Sequence, residues 1–147
     1  MISSDIQKKV VQLQEYMDKL SEYAAFSTDE VLMDEQKRLA MERLFLLMVD
    51  EAVDINAAVA YQLGGRIAES YKSSFHELVP LHLLAPGFAE KIAESAKIRN
   101  QLTHDYETLQ KREAIENMKK FHGLYKEYVR VLVEKLFIAK EKESKYP

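Results

Sequence analysis

Cysteine and tryptophan are absent from this 147-residue chain, and it contains only four glycines and three prolines. Without cysteine, the chain can form no disulfide, bind no zinc through thiolates and use no thiol nucleophile. The scarcity of glycine and proline favours long helices, because both residues interrupt them. The length and the 47% apolar content suit one hydrophobic core. We therefore expect a single domain over residues 1–147.

Long apolar runs are also missing. The longest stretches without Asp, Glu, Lys or Arg are 78–89 and 55–65, well short of the roughly 20 residues that a membrane span needs. The first residues are polar by Gln7 and contain no apolar region of the secretory type. These features predict a cytoplasmic protein without a membrane partner.

The formal net charge of −3 argues at first against a nucleic-acid partner, because phosphate binding usually requires a basic surface. The charge is unevenly distributed, however. Residues 1–90 carry 8 basic and 15 acidic side chains, whereas residues 91–147 carry 13 basic and 9 acidic ones. The C-terminal part can therefore meet an anionic partner even though the whole chain is acidic.

Hydrophobic spacing predicts an all-α bundle of four main helices and one short helix. The first has apolar residues from Ile6 to Ala24 at intervals of three and four. The second starts at Thr28 after a Ser27 cap and ends at the Gly64-Gly65 pair. The remaining predicted segments are a short helix at 70–78, a helix from Pro86 through Arg99, a helix at about 109–140 and a frayed charged tail at 140–147.

The sequence offers little for metal or cofactor chemistry. None of the four histidines follows a Glu by three residues, and no two histidines stand three or four residues apart, so no metal site is predicted. The Gly64-Gly65 pair lacks the fingerprint of a phosphate loop. No Gly-x-Ser-x-Gly turn is present, although a Ser-His-Asp site stays open. We expect no cofactor.

A polar block at 99–106 is the remaining candidate site, since it holds Arg99, Asn100, His104 and Tyr106 within eight residues. A neutral imidazole can remove a proton from an RNA 2′-hydroxyl or donate one to the leaving 5′-oxygen. A guanidinium can stabilise the charge that develops on the phosphate, and Asn100 can orient it. The alternative is that Arg99 is a solvated helix residue and His104 a capping or hydrogen-bonding residue.

The spacing of Arg99 and His104 constrains such a site. On a straight helix the two side chains point about 140° apart. They converge only if the helix ends or bends between them, which a helix junction permits, or if a second subunit contributes.

The block reads Arg-Asn-x3-His-x-Tyr, which resembles the Arg-x4-His-x-Tyr signature of the HEPN superfamily and of its HepT-like ribonuclease toxins. The segments 43–55, 70–78 and 96–100 are also similar to that family, and the resemblance covers about residues 5–137. It implies a homodimeric HEPN bundle in which Arg99 and His104 of both subunits line a shared cleft and cut RNA, such as tRNA or mRNA, without metal. Asn100 would assist this endoribonuclease.

The resemblance also implies a partner, a MntA-like minimal nucleotidyltransferase that acts as antitoxin by adenylylating the motif tyrosine, Tyr106. The alternative for Tyr106 is a partly buried aromatic residue with a satisfied hydroxyl. Weaker candidates for RNA contacts are Lys97, Lys111 and Arg112, although a charge run on a helix is usually its solvated face.

The sequence also supports predictions for several other acidic and aromatic residues. Asp105 should face away from the cleft or hold His104, because it would repel phosphate. Glu51 and Asp54 could approach the motif, although a solvated strip is the simpler interpretation. Tyr125 and Tyr128 are predicted to belong to the core.

Two other functions remain open from the sequence. One is a non-catalytic HEPN module that binds nucleotide or RNA and serves a nucleotidyltransferase partner. The other is a structural helical dimer in which Arg99 and His104 make interface hydrogen bonds.

Overall fold

A computed structural model describes residues 2–138, which form helices and turns with no β-strand in that range. The all-α fold class is therefore confirmed, while the predicted tail at 140–147 lies outside the described residues. Within this range there are seven α-helices, one 3-10 turn (Tyr106–Thr108) that separates the last two of them, and one π-helical turn (Glu134–Ile138) that follows the last. The α-helices are α1 (Ser4–Ala24), α2 (Thr28–Met33), α3 (Glu35–Gln62), α4 (Tyr71–His76), α5 (Pro86–Ala93), α6 (Ser95–His104) and α7 (Lys111–Val133).

Two of the predicted helices are each divided in two. Asp34 ends α2 and caps α3, with extended backbone angles and a side chain that accepts a hydrogen bond from the Lys37 N–H. The prediction of one continuous helix from Thr28 was wrong there, because a capping Asp without Gly or Pro resembles an ordinary helical residue in sequence. Glu94 separates α5 from α6 but keeps helical angles, so this second interruption is local.

The predicted end of the second helix at the glycine pair is confirmed. Gly64 adopts φ +74°, which a residue with a side chain rarely adopts. The Gly65 N–H donates to the Ala60 carbonyl at 2.7 Å and the Gly64 N–H to the Tyr61 carbonyl at 3.4 Å. These paired bonds satisfy the last carbonyls of α3 and fix its end.

Helix α3 lies at the centre of the bundle. It packs against α1, α2, α4 and α6, while α7 packs against α1, α2, α5 and α6. Tyr125 and Tyr128 on α7 are fully buried, as predicted, and each makes an edge-on contact with the ring of Phe75 on α4. Leu39, on the predicted apolar face of α3, is instead 45% exposed.

Buried hydroxyl and amide groups connect α3, α4 and α7 inside this core. The Tyr128 hydroxyl donates to Asn56 Oδ1 at 2.5 Å and to the Ala52 carbonyl at 3.3 Å. The Asn56 amide in turn donates to Ser74 Oγ at 3.0 Å. Because buried polar groups are costly when unpaired, this chain of bonds sets the relative placement of the three helices.

Within residues 2–138, no helix is both long and apolar enough to cross a membrane. The same part of the chain contains no cluster of three or more His, Asp or Glu side chains arranged to hold a metal ion.

Replacing Tyr128 by Phe should lower the free energy of unfolding by about 1–3 kcal/mol, because it leaves the buried Asn56 oxygen without its donor. Urea denaturation followed by circular dichroism measures the change. Tyr61→Phe is the matched control, since Tyr61 is 88% exposed and its loss of a hydroxyl should stay within about 0.5 kcal/mol. Equal effects of the two substitutions would contradict a structural role for the buried network.

Candidate functional site

The polar block occupies the end of α6 and the turn after it. Arg99, Asn100 and His104 lie on α6, Asp105 is its C-terminal cap, and Tyr106 begins the 3-10 turn. Helix α6 is continuous to His104 and does not end between Arg99 and His104. Of the two routes by which these side chains could converge, an end of the helix between them is therefore not present, and a contribution from a second subunit stays open.

Arg99 is held on α3 by an ion pair. Its Nε donates to Asp50 Oδ1 at 2.9 Å, and its side chain is 19% exposed. The guanidinium carbon lies 4.6 Å from the centre of the Tyr71 ring on α4, a distance suited to a cation–π contact. Two neighbouring elements thus fix the orientation of the guanidinium.

The opposite edge of this guanidinium is less constrained. Nη1 makes long hydrogen bonds to Asn100 Oδ1 at 3.4 Å and to Thr103 Oγ1 at 3.5 Å. Across residues 2–138, no hydrogen bond occupies Nη2. A positioned guanidinium with donors left over is suited to bind phosphate oxygens.

Tyr71 shares the environment of this ion pair. Burial raises the pKa of its phenol, the negative charge of Asp50 adds to the rise, and the positive charge of Arg99 opposes it. The Tyr71 ring therefore stays neutral near pH 7 and acts as an aromatic surface under the guanidinium.

His104 is exposed at the last residue of α6. Its imidazole makes no hydrogen bond or ion pair with another described residue, so both ring nitrogens are accessible to a ligand. Asp105 is also exposed, and its carboxylate makes no hydrogen bond or ion pair with His104 in the described part of the chain. Of the two arrangements expected for Asp105, the one in which it holds His104 is therefore not seen in residues 2–138, and the one in which it faces away from the cleft stays a prediction.

Tyr106 is anchored to α3 as well. Its hydroxyl donates to Glu42 at 2.9 Å from Oε1 and 3.4 Å from Oε2. Glu42 is 6% exposed and also pairs with Arg38, whose Nε lies 3.7 Å from Oε2. His104 therefore lies between two residues that are both attached to α3, while its own side chain is free.

The Glu42 and Tyr106 groups alter each other's acidity. Burial raises the pKa of Glu42, against the opposing effects of the Tyr106 hydrogen bond and the charges of Arg38 and Lys111. Burial has the largest effect on the pKa of Tyr106 and raises it. The hydrogen bond to Glu42 and the negative charge of that carboxylate raise the pKa further, while Arg38 lowers it. At neutral pH the phenol is therefore protonated and bonded to a carboxylate.

The basic residues predicted to contact RNA lie in different surroundings. Lys97 is exposed and lines a cleft of about 330 Å³ between α6 and α7, whose walls combine polar residues such as Gln101 and Lys120 with apolar ones such as Ile98 and Phe121. Lys111 is exposed at the start of α7, and its charge acts on Glu42. Arg112 pairs with Asp29 on α2 at 2.6 Å.

The residues that hold the site were not found from the sequence. Asp50, Glu42 and Tyr71 each contact a motif residue, yet none was a candidate. From the sequence, Glu51 and Asp54 could approach the motif. Burial raises the pKa of Glu51, which is also affected by the charges of Lys9 and Asp5 on α1 and of Asp54. The charge of Asp54 acts on Tyr71, which contacts Arg99. Asp50 and Glu51 lie on different faces of α3, because successive side chains on a helix are rotated by about 100°. The sequence does not indicate which of these faces α6 covers, so it could not single out Asp50.

Comparisons with known proteins identify the same family that the motif at residues 99–106 resembles. A sequence model of the family described as ribonuclease HepT-like matches residues 13–132. The tRNA nuclease HepT of Aphanizomenon flos-aquae is 32% identical over 94 residues, which are 64% of this chain and 64% of that protein. The match thus spans slightly less than two thirds of the curated relative.

The structure is also similar to a solved one. A tri-AMPylated HEPN toxin of Shewanella oneidensis, in complex with an MNT antitoxin, superposes with a TM-score of 0.79 at 15% identity. The match covers 88% of this chain and 97% of that chain. At this identity the similarity establishes the fold.

Replacing Asp50 by Ala should release the Arg99 guanidinium while changing stability little, by at most about 1 kcal/mol, since the ion pair is partly exposed. The Arg99 Nε–H signal in NMR spectra should then exchange faster with water, because it loses its acceptor. Asp54→Ala, an exposed carboxylate one turn along α3, is the control and should leave that signal unchanged. Unchanged exchange in the Asp50 variant would contradict the anchoring role.

Proposed function

The chain belongs to the HepT-like ribonuclease family, and from that premise we propose that it is a metal-independent endoribonuclease whose cleavage step uses Arg99 and His104. The observation that carries the proposal is the end of α6. There a fixed guanidinium lies five residues before an exposed imidazole, and within residues 2–138 the guanidinium keeps a free donor nitrogen and the imidazole has no partner. Asn100 assists by its contact with the guanidinium.

The proposed reaction is transfer of a phosphodiester within RNA. An imidazole of His104 takes the proton of a 2′-hydroxyl as the 2′-oxygen forms a bond to phosphorus. The bond from phosphorus to the 5′-oxygen breaks, and an imidazolium supplies the proton to that leaving oxygen. The products carry a 2′,3′-cyclic phosphate and a 5′-hydroxyl.

Arg99 has the complementary role in this scheme. Negative charge accumulates on the non-bridging oxygens in the transition state, and a guanidinium already aimed by Asp50 and Tyr71 needs little reorganisation to stabilise it.

The proposed mechanism needs Arg99 and His104 in one site, and a second copy of the chain can bring them together. Arg99 and His104 point about 140° apart on α6, so one copy presents them in different directions. In a homodimer, Arg99 of one copy can face His104 of the other across a shared cleft. Tyr61 and Ile67, which are 88% and 93% exposed, supply apolar surface close to Tyr71 for such an interface.

We further propose tRNA as the substrate class and a MntA-like nucleotidyltransferase as the antitoxin. The curated relative is a tRNA nuclease, and the solved neighbour is an AMPylated toxin in complex with an MNT antitoxin. Tyr106 lies two residues after His104, so an AMP group on its phenol would place bulk and negative charge where the RNA phosphate must bind.

His104→Ala should lower the rate of tRNA cleavage by about 10²–10⁴-fold, because it removes the proton-transfer group. Gel analysis of purified tRNA incubated with the protein in EDTA measures the rate, and end analysis tests for the 2′,3′-cyclic phosphate. His76→Ala, another exposed histidine at the end of a helix, is the control and should retain full activity.

Three outcomes would contradict this function. Full cleavage by the His104 variant would remove that residue from the mechanism. Dependence on a divalent cation would replace the metal-independent scheme. Binding of RNA without any cleavage by the wild-type chain would favour a non-catalytic binding module.

A mixture of two inactive variants tests the shared cleft. Arg99→Ala and His104→Ala chains, unfolded together and refolded, should recover part of the nuclease activity, because mixed dimers bring the intact Arg99 of one copy to the intact His104 of the other. Each variant refolded alone is the control and should stay inactive. Failure of the mixture, with dimers present by light scattering, would mean that both residues must come from the same copy.

A further inference from the structure

A second cluster of charged groups lies where the start of α3 meets the 3-10 turn. It consists of Arg38 and Glu42 on α3 and Tyr106 on the turn. The Arg38 and Glu42 side chains are only 12% and 8% exposed, whereas Tyr106 is half-buried. The nuclease mechanism proposed above uses none of the three, so their pairing calls for a separate explanation.

The cluster has an unfilled donor. Arg38 Nε is buried and has no hydrogen-bond partner in the described part of the chain. Glu42 Oε2 lies 3.7 Å from this Nε, which is close enough for attraction but too far for a hydrogen bond. Buried donors are nearly always paired, so this one indicates a place for a further acceptor, such as a phosphate oxygen.

We propose that Glu42 accepts the phenolic proton when Tyr106 is nucleotidylated, and that Arg38 then binds the new phosphodiester. This inference rests on the proposed function, since it takes Tyr106 as the acceptor of the nucleotide. It assigns the proton acceptor for this transfer to the toxin chain itself, beside the modified residue.

The Tyr106 oxygen attacks the α-phosphorus of a nucleoside triphosphate and forms an oxygen–phosphorus bond. The bond from that phosphorus to the β-phosphate oxygen breaks, and pyrophosphate leaves with its electron pair. The phenolic proton passes along the existing 2.9 Å hydrogen bond to Glu42 Oε1.

Charge is conserved within the cluster during this step. Before the transfer, Arg38 is positive, Glu42 negative and Tyr106 neutral. Afterwards Glu42 is neutral and the phosphodiester is negative, so the sum is unchanged. A partly buried site tolerates such an exchange well, because no net charge has to be brought out of water.

The acidities support the need for a base at this position. The raised pKa of Tyr106 keeps the phenol protonated at neutral pH, so it is a weak nucleophile without assistance. The raised pKa of Glu42 makes this carboxylate a stronger base than an exposed one. The charged groups that act on Glu42 are Arg38 from α3 and Lys111 from α7.

A purely structural role for Glu42 makes the opposite prediction. If the carboxylate only anchors Tyr106, its negative charge and hydrogen bond make the phenol less acidic. Removing that charge would then make Tyr106 more reactive. The sign of the effect of a Glu42 substitution therefore separates the two roles.

The first experiment follows AMP transfer to the full chain by a MntA-like nucleotidyltransferase with ATP, using intact mass and peptide mapping. Wild-type protein should gain AMP on Tyr106, and Glu42→Gln should gain it at least about tenfold more slowly. Glu35→Gln, an exposed carboxylate on the same helix, is the control and should match the wild type. Arg38→Gln should also be slower, because the product phosphate loses its partner.

The pH profile provides a readout that loss of an anchor would not change. The wild-type rate should rise with pH while Glu42 ionises and then level off well below the pKa of the phenol. The Glu42→Gln rate should instead keep rising, tenfold per pH unit, because only solvent hydroxide removes the proton. A wild-type profile of this second shape overturns the proposal, even if the Glu42 variant does not fold.

The second experiment needs no nucleotidyltransferase. An adenosine that carries an aryl sulfonyl fluoride reacts with a tyrosine oxygen, with loss of fluoride and of the phenolic proton. At pH 7 the labelling of Tyr106 should be several-fold slower in Glu42→Gln than in the wild type. Equal or faster labelling in the variant overturns the proposal.

The two experiments distinguish failure of the inference from failure of the proposed antitoxin control. If the nucleotidyltransferase adds nothing to wild-type protein while chemical labelling of Tyr106 depends on Glu42, the antitoxin control is wrong and the activation of the phenol stands. If AMP is added equally to wild type and Glu42→Gln, the control stands and the role of Glu42 is wrong.

Discussion

The pairing of polar side chains on α3 with partners from the C-terminal half of the chain is the constraint on which the site depends. This central helix carries Glu42 and Asn56 in buried positions and Asp50 at its edge. The two buried groups need partners, because an unpaired polar group in the interior costs more than a hydrogen bond returns. Tyr106 pairs with Glu42 and Tyr128 with Asn56, and the partly exposed Asp50 is paired with Arg99.

These pairs also set the geometry around His104. Arg99 binds Asp50 and Tyr106 binds Glu42, so the chain from α6 to the 3-10 turn runs antiparallel to α3. The two anchors on α3 are eight residues apart, which is about 12 Å along the helix. Because both flanks of His104 are attached in this way, the imidazole can remain exposed and unpartnered while its backbone keeps a fixed position.

Much of this architecture could be predicted from the sequence, for identifiable reasons. The apolar spacing in α1, the glycine pair after α3 and the burial of Tyr125 and Tyr128 depend on local pattern, and all are confirmed. The break at Asp34 could not be predicted, since a capping Asp and a helical Asp look alike in sequence. The anchoring roles of Asp50 and Glu42 could not be predicted either, because each depends on a partner far away in the sequence. Arg99 is separated from Asp50 by 49 positions, and Tyr106 from Glu42 by 64.

The net charge of −3 is compatible with RNA cleavage because of how Arg99 is paired. Its Nε faces Asp50, so part of its charge is already compensated before RNA binds. Under the proposed function, a singly charged phosphate therefore gains modest attraction, while the additional charge that develops in the transition state would meet the guanidinium donors that no group within residues 2–138 occupies. Interactions that strengthen only as the reaction proceeds accelerate it, whereas tight binding of the substrate does not. Under the proposed function, a site whose positive charge is partly compensated thus favours turnover over tight, nonspecific binding of nucleic acid. Weak nonspecific binding is also expected of an acidic chain.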